Sequence, residues 1–339
     1  MKRKIFKAPS GATIAFTQLG FGAAPLGNLY RAMSEKQVTD VLNAMWKAGH
    51  RYIDTAPLYG LGLSETRLNH FLRDKKRNDY VISTKIGRLL RSCLPQNRTG
   101  RGKFFEVPSR QEVFDYSYDG VMRSLEYSLE RLGLDHVDVL YAHDLDVFTH
   151  GSSAKRDEHV KSFLAGGYKA LIKLRDEKVI KAFGAGVNEW QVCETLAKAG
   201  DFDLFLLAGR YTLLEQEALH SFLPLCEQRG IGIVLGGVYN SGILASGAVK
   251  GAMYNYDPAP RHIMQRVSAI EVICKKHKMK LAEAALHFPS THPCVLSIIP
   301  GASSPQQVAF NTKTIAKKIP KALWSDLKAA GLMDERANL

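Results

Sequence analysis

Residues 180–235 open with Ile180-Lys181-Ala182-Phe183-Gly184-Ala185, pass through a helical pattern over 189–199 to Leu204-Phe205-Leu206-Leu207-Ala208, and after a second helical pattern over 215–229 reach Ile231-Gly232-Ile233-Val234-Leu235. Short apolar runs joined by amphipathic stretches are the repeat of a parallel sheet, because parallel neighbours need a crossover long enough to return the chain. Outward from this stretch, strand patterns fall at 17–22, 52–54, 80–85, 137–142 and 295–299, and helical patterns at 34–48, 64–72, 118–132, 161–178, 262–277 and 305–315. Eight strands alternating with eight helices predict an α/β fold, a (β/α)8 TIM barrel, built as a single domain over residues 1–339.

Local signals support the boundaries. Ser34 with Gln37 three residues on, and Ser64 with Arg67 three residues on and Glu65 in the first turn, mark helix starts; Gly49, Gly133, Gly200 and Gly230 stand where helices stop. Pro9-Ser10-Gly11, between Ile5-Phe6 and residues 13–16, predicts an N-terminal β-hairpin that closes one end of the barrel. Long loops at 88–117 and 235–261 and a shorter insertion at 145–160 all follow strands, so they belong to the C-terminal face, where barrel active sites are built.

Composition narrows the function. Hydrophobic residues at 45% and charged residues at 23% are globular proportions, and no apolar run approaches the roughly 20 residues of a membrane span. Lys7 and Pro9 interrupt any secretory apolar block, so a cytoplasmic chain is expected. Cys93, Cys193, Cys226, Cys274 and Cys294 are widely spaced and suggest neither a disulfide framework nor a metal site. The net charge of +13 is dispersed over helical patterns without interleaved aromatics, which argues for anionic small ligands and against nucleic acid. Gly20-Phe21-Gly22-Ala23-Ala24-Pro25 lacks the third glycine of a Rossmann fingerprint, and no phosphate loop or zinc helix occurs.

The chemistry is concentrated at strand ends. Asp54 closes the second strand with Tyr59 five residues on, Lys85 closes the third, and His143 follows the fourth, so adjacent strands bring four titratable groups to one rim. A Lys85 ammonium beside Tyr59 is expected to lower the tyrosine pKa, Asp54 to keep the lysine charged, and His143 to hold the reacting oxygen or relay its proton.

The segment Gly49-His50-Arg51-Tyr52-Ile53-Asp54-Thr55-Ala56-Pro57-Leu58-Tyr59-Gly60-Leu61-Gly62-Leu63-Ser64-Glu65 resembles the aldo-keto reductases. So do Ser83-Thr84-Lys85, Val139-Leu140-Tyr141-Ala142-His143, Gly186-Val187-Asn188 and Ile299-Pro300-Gly301-Ala302-Ser303, and the resemblance runs along the chain. It implies Tyr59 as general acid/base, Lys85 as the group that tunes it, Asp54 as the partner of Lys85, and His143 as the group that orients the substrate oxygen. A nicotinamide is implied across the barrel mouth, its carboxamide bonded by Asn188, which also begins a helix. Tyr239, Ser241, Gly242 and Leu244 match the segment around the pyrophosphate; Gly301, Ser303, Gln307 and Asn311 match the adenosine site.

The departures are specific. Gly236-Gly237 stand where relatives place a stacking aromatic, and Ala208 aligns with a carboxamide-binding glutamine, leaving Arg210 and Tyr211 nearby. Gly301 and Gln307 replace the cations that grip a 2′-phosphate, which predicts NAD over NADP. Ala23-Ala24-Pro25-Leu26-Gly27-Asn28-Leu29-Tyr30 and residues 206–214 resemble the NAD-linked group that oxidises D-threo-aldoses (the L-fucose type) at C1, or pyridoxal at C4. Both substrates are cyclic hemiacetals and give lactones. For the sugar, the first reading, Asn28, Arg91, Asn240 and Tyr254 are candidates to read hydroxyls; for pyridoxal, Tyr30, Phe148 or Trp190 to stack on the ring. A third reading is a dinucleotide-binding regulatory barrel with little turnover. The expected partner is a small-molecule substrate, with no nucleic acid, membrane or metal, on a monomer or weak homo-oligomer.

Overall fold

In a computed structural model the chain begins with an antiparallel hairpin, β1 (Arg3–Lys7) and β2 (Thr13–Thr17). The barrel strands then follow as β3 (Phe21–Gly22), β4 (Tyr52–Asp54) and β5 (Val81–Ile86). A second hairpin, β6 (Arg88–Ser92) and β7 (Arg110–Phe114), interrupts them before β8 (Val139–His143), β9 (Ala182–Val187), β10 (Leu204–Ala208) and β11 (Gly232–Gly236). The short pair β12 (Met253–Tyr254) and β13 (Asp257–Pro258) precedes the last barrel strand, β14 (Val295–Ile298). The structure describes residues 1–337; the last two residues of the expected 1–339 domain lie outside the described residues.

Parallel pairing runs β3-β4-β5-β8-β9-β10-β11-β14, and the bridges Leu19 to Ile298 and Gly22 to Gly301 close the ring. Closure is tight here: a Cβ on Gly22 would lie 2.7 Å from the Ile299 carbonyl oxygen, so a side chain at this seam would force the first and last strands apart. The single strand expected over 17–22 divides, with Thr17 ending the hairpin, residues 18–20 bonded to Ile298 of the last strand, and Phe21–Gly22 forming the strand that pairs with β4.

Other boundaries differ for local reasons. Ser34 forms the expected capping box with Gln37. Ser64, by contrast, lies inside its helix, which starts at Leu63 behind Gly62; its hydroxyl donates to the Ala23 carbonyl instead of capping. Gly133 and Gly230 end helices in the left-handed conformation, whereas Gly200 ends one in extended backbone. The helix expected over 161–178 begins earlier, as Ser153–Ser162 continued by a π turn into Tyr168–Asp176, and so absorbs half of the 145–160 insertion. The pattern over 215–229 divides into a 3-10 turn, Glu217–Leu219, and an α-helix, Phe222–Arg229, because Pro224 is tolerated in a first turn and not deeper. Helices Leu281–His287 and Lys321–Ala329 add to the expected eight.

The hairpin places Phe6, Ile14 and Phe16 in one buried cluster with Tyr52, Val81, Val139, Tyr141, Leu204, Leu206, Val234 and Leu296 from the barrel interior. Phe16 meets the Tyr52 ring edge-on at 4.8 Å between centroids, and both are fully buried. A second, larger cluster lies between the sheet and its helices. The hairpin therefore fills the barrel's lower end, leaving the opposite mouth to the loops. No helix among the described residues is long and apolar enough to cross a membrane.

Candidate active site

Parallel register sets the first three groups side by side. Asp54 pairs with Ser83 across β4 and β5, and Lys85 with Tyr141 across β5 and β8, so alternate residues of neighbouring strands point into the same upper layer. Lys85 Nζ donates to Asp54 Oδ2 at 2.7 Å and to the Thr55 carbonyl at 2.9 Å. Asp54 Oδ1 accepts from Ser83 Oγ at 2.8 Å, and Ser83 Oγ is 2.9 Å from the Tyr52 hydroxyl, which is 3.2 Å from that of Tyr141. A hydrogen-bonded chain thus links the pair to the aromatic floor of the barrel.

Tyr59 is positioned by backbone contact. A Cβ on Gly27 would stand 2.4 Å from the Tyr59 carbonyl carbon, so glycine lets the loop after β3 lie directly on the Tyr59 peptide. Lys85 Nζ sits 4.8 Å from the Tyr59 ring centroid, and His143 presents its ring edge-on to Tyr59 at 6.2 Å. The Tyr116 hydroxyl donates to the His143 carbonyl at 2.6 Å. All four strand-end groups expected from the sequence therefore meet at one point.

Their electrostatics differ from expectation at Tyr59. Burial pushes its phenol above the ordinary value, and the nearby Lys85 ammonium only partly offsets this, so the net shift is upward. For Lys85, burial disfavours the cation, but Asp54 and Tyr59 together outweigh it, so it stays charged. Burial also raises Asp54 against the opposing pull of Lys85. His143 is held well below the usual imidazole range by burial and by the cations Arg88 and Lys85, which leaves it neutral.

A cavity of about 680 Å³ extends from Asp54 and Tyr59 past Gly236, Gly237, Tyr239, Ser241 and Gly242 to Gly301, Ser303, Gln307 and Asn311. Its size suits a dinucleotide, and glycine, alanine and serine share its walls with larger side chains such as Leu206, Val238, Tyr239, Ile299 and Phe310. Asn240, Ser241 and Gly242 take φ values of 44°, 59° and 102°, a left-handed run that bends the chain around the wall. The Tyr239 hydroxyl donates to Asn311 Oδ1 at 2.8 Å, tying the loop after β11 to the helix Pro305–Ile315. Gln307 Oε1 accepts from the Ser303 backbone at 2.7 Å. Leu244 is fully buried in the core and contributes no side chain to the cavity.

Asn188 and Phe148 line a recess of about 30 Å³ that shares Ala208, Gly237, Ser241 and Tyr256 with the main cavity. Asn188 is not a helix cap: the helix begins at Trp190 behind Glu189, and Asn188 Nδ2 donates to Asp144 Oδ1 at 3.2 Å and Asp146 Oδ2 at 3.3 Å. Of the two residues near the absent glutamine, Arg210 reaches the recess and donates to Asn255 Oδ1 at 2.8 Å, while Tyr211 is buried against Phe288 and His292.

Asn28 does not line the cavity. Its Oδ1 accepts from Arg67 at 2.7 Å and from the Met33 backbone at 3.0 Å, and its Nδ2 donates to the Phe105 carbonyl at 2.9 Å, so the side chain is a buried loop clamp. Asn240 is likewise committed, to Thr212 at 2.5 Å and to the Gly209 carbonyl at 3.0 Å, and Tyr254 donates to Glu215. Tyr30 lines the cavity at 53% exposure, and Phe148 lies 6.0 Å from Tyr256, centroid to centroid. Sequence reasoning missed Tyr256, which lines both spaces, and Arg31, whose guanidinium donates to Ser303 Oγ at 2.9 Å. Arg31 comes from an irregular loop and Tyr256 from the two-residue turn between β12 and β13, and neither position has a periodicity that marks the inward face.

A closed eight-stranded barrel with a lysine–aspartate pair under a tyrosine, beside a neutral histidine, defines a class, and the family comparison agrees: residues 18–331 match the aldo/keto reductase family, to which this chain belongs. It is an oxidoreductase acting on CH–OH groups. The particular relatives follow. The chain is 42% identical to pyridoxal 4-dehydrogenase of Microbacterium luteolum, with 96% of each chain covered, and 41% identical to D-threo-aldose 1-dehydrogenase of a Pseudomonas species, covering 96% of this chain and 97% of that one. Among solved structures, the holo form of an aldo-keto reductase from Bacillus halodurans superposes with a TM-score of 0.73 at 21% identity, over 98% of this chain and 97% of that one, a likeness of fold.

Proposed function

We propose that this chain, working as a single barrel domain in the cytoplasm, is an NAD-linked dehydrogenase that oxidises a cyclic hemiacetal to a lactone, with a D-threo-aldose of the L-fucose type as its first substrate. The observation that carries the reading is the buried Lys85–Asp54 pair directly beneath the Tyr59 ring, with neutral His143 alongside. When bound along the cavity, the nicotinamide supplies the acceptor for the hydride from the carbon bearing the hydroxyl. The protein's part is proton handling. Tyr59, as phenolate, takes the hydroxyl proton as the carbonyl forms, and the Lys85 cation stabilises that phenolate. Asp54 keeps Lys85 charged and aimed, and His143 offers a hydrogen bond to the reacting oxygen.

Residues Tyr239, Ser241, Gly242, Gly301, Ser303, Gln307 and Asn311 would hold the dinucleotide, with Asn188 reaching its carboxamide from the adjoining recess. Tyr256 takes the place of the missing stacking aromatic. NAD preference rests on Gly301 and Gln307, which carry no charge toward a 2′-phosphate.

Pyridoxal, the second reading, is favoured by a specific observation. Tyr30, Phe148 and Tyr256 crowd the mouth with exposed aromatic rings, while three of the four polar residues expected to read sugar hydroxyls are tied to other groups. NADH formation at 340 nm with NAD and, in turn, L-fucose, D-arabinose, L-galactose and pyridoxal separates the readings. Turnover is expected with at least one of these, and Tyr59→Phe is expected to lower kcat by about a thousandfold or more while NAD still binds. Silence with all four substrates, with NAD bound, would return the regulatory barrel to the front.

A further inference from the structure

Beyond the four strand-end groups lies a buried carboxylate that the proposed proton chemistry does not use. Asp144 follows His143 at the end of β8 in the left-handed conformation, φ 53°, with its N–H donating to the Gly186 carbonyl of β9 at 2.9 Å. Its side chain is 10% exposed, and both oxygens are engaged. Oδ1 accepts from Asn188 Nδ2 at 3.2 Å; Oδ2 pairs with Arg88, which also pairs with Glu112, and lies 3.3 Å from His143 Nε2. Arg88 opens β6 and Glu112 belongs to β7, so the Arg88–Asp144 pair ties the hairpin inserted after the third barrel strand to the active site.

We propose that Asp144 is a positioning residue: its carboxylate, gripped by Arg88 and Asn188, fixes the proton of the neutral His143 ring on Nε2 and so makes the donor that faces the substrate oxygen depend on the seating of the β6–β7 hairpin. The inference rests on the proposed role of His143. Its physical reason is direct. A neutral imidazole carries one proton on two nitrogens, and the Asp144 oxygen 3.3 Å from Nε2, set off the line of a hydrogen bond, favours the proton on that nitrogen through its charge while leaving the N–H free for the substrate oxygen. Nδ1 is buried without a hydrogen-bond partner among the described residues, so nothing there competes for the proton. The charged and titratable groups around Asp144 also include Glu112 on the hairpin, Tyr116 just after it, Asp146 and His150 beyond β8, Lys85 on β5, the Tyr59 phenol and Tyr256 from the β12–β13 turn. Burial pushes Asp144 up to about 6, with Arg88 opposing, so the carboxylate is ionised at neutral pH and above.

The test is nitrogen-15 spectroscopy of the full-length protein labelled at histidine, with the His143 signals assigned through their loss in His143→Gln. Wild type is expected to show the Nε2–H tautomer. In Asp144→Ala, and in Arg88→Met, where Asp144 loses its cation and takes up a proton, that tautomer is expected to lose its dominance and kcat to fall roughly tenfold or more. Arg88→Lys, which keeps the charge, should restore both to near wild type. An Nδ1–H ring in the wild type, or an Nε2–H ring retained in both variants, overturns the proposal; the wild-type spectrum decides even where a variant does not fold. A shifted tautomer with unchanged turnover supports the role of Asp144 and instead removes His143 from the reaction.

Discussion

At Tyr59 two effects of opposite sign meet on one hydroxyl. Burial favours the phenol, Lys85 favours the phenolate, and burial prevails. Because oxidation needs the phenolate, kcat/KM for the hemiacetal is expected to climb as pH rises through the alkaline range toward the raised tyrosine value. Replacing Lys85 with methionine removes the only effect that lowers that value, so the climb should move to higher pH by about one unit or more. A profile that stays in place would show that Lys85 does not tune Tyr59. The change also strands Asp54 as a buried carboxylate without its cation, and a lower melting temperature should accompany it. The four acid–base groups were legible in the sequence because each sits at, or a fixed short distance beyond, the end of a strand. Asn28 was not: its partners Arg67 and Phe105 lie far along the chain, and only their arrival turns a polar loop residue into a buried clamp.

Among the elements, the proposed cofactor preference rests on the loop after β14. The sequence suggests exchanging both Gly301 and Gln307 for cations, but a Cβ at Gly301 would meet Pro25 Cγ at 2.9 Å, so a lysine there also disturbs the loop after β3. Gln307→Arg alone is the cleaner change. A single charge-assisted contact to a 2′-phosphate is worth about 1–3 kcal/mol, so the NADP to NAD ratio of kcat/KM should rise about tenfold. An unmoved ratio would mean that Gln307 does not face the 2′ position. Strand and helix spans were readable wherever periodicity was strong, as in Tyr118–Leu132 and Leu204–Ala208. The β6–β7 hairpin escaped because it lies inside a long connection whose sequence, 88–117, has no clear alternation; its pairing is held by Arg88 and by contacts to other loops.

For the whole molecule, stability and chemistry occupy opposite ends of one barrel. The N-terminal hairpin completes the lower core, and Phe16→Ala should cost about 3–5 kcal/mol by emptying a fully buried ring site against Tyr52. Urea unfolding measures this, and a loss under about 1 kcal/mol would show that the barrel does not lean on its plug. By itself the sequence determined the alternation of strands and helices, the closing hairpin, and the ring of Asp54, Lys85, His143 and nearby Tyr59, since each follows from local periodicity and position at a strand end. Only the tertiary structure decided that Asn28 and Leu244 turn away from the cavity, that Arg31 and Tyr256 turn into it, and that Asp144 lies between His143, Asn188 and Arg88. Those outcomes depend on which loops pack together over the barrel mouth, and contacts between residues tens of positions apart leave no local pattern to read.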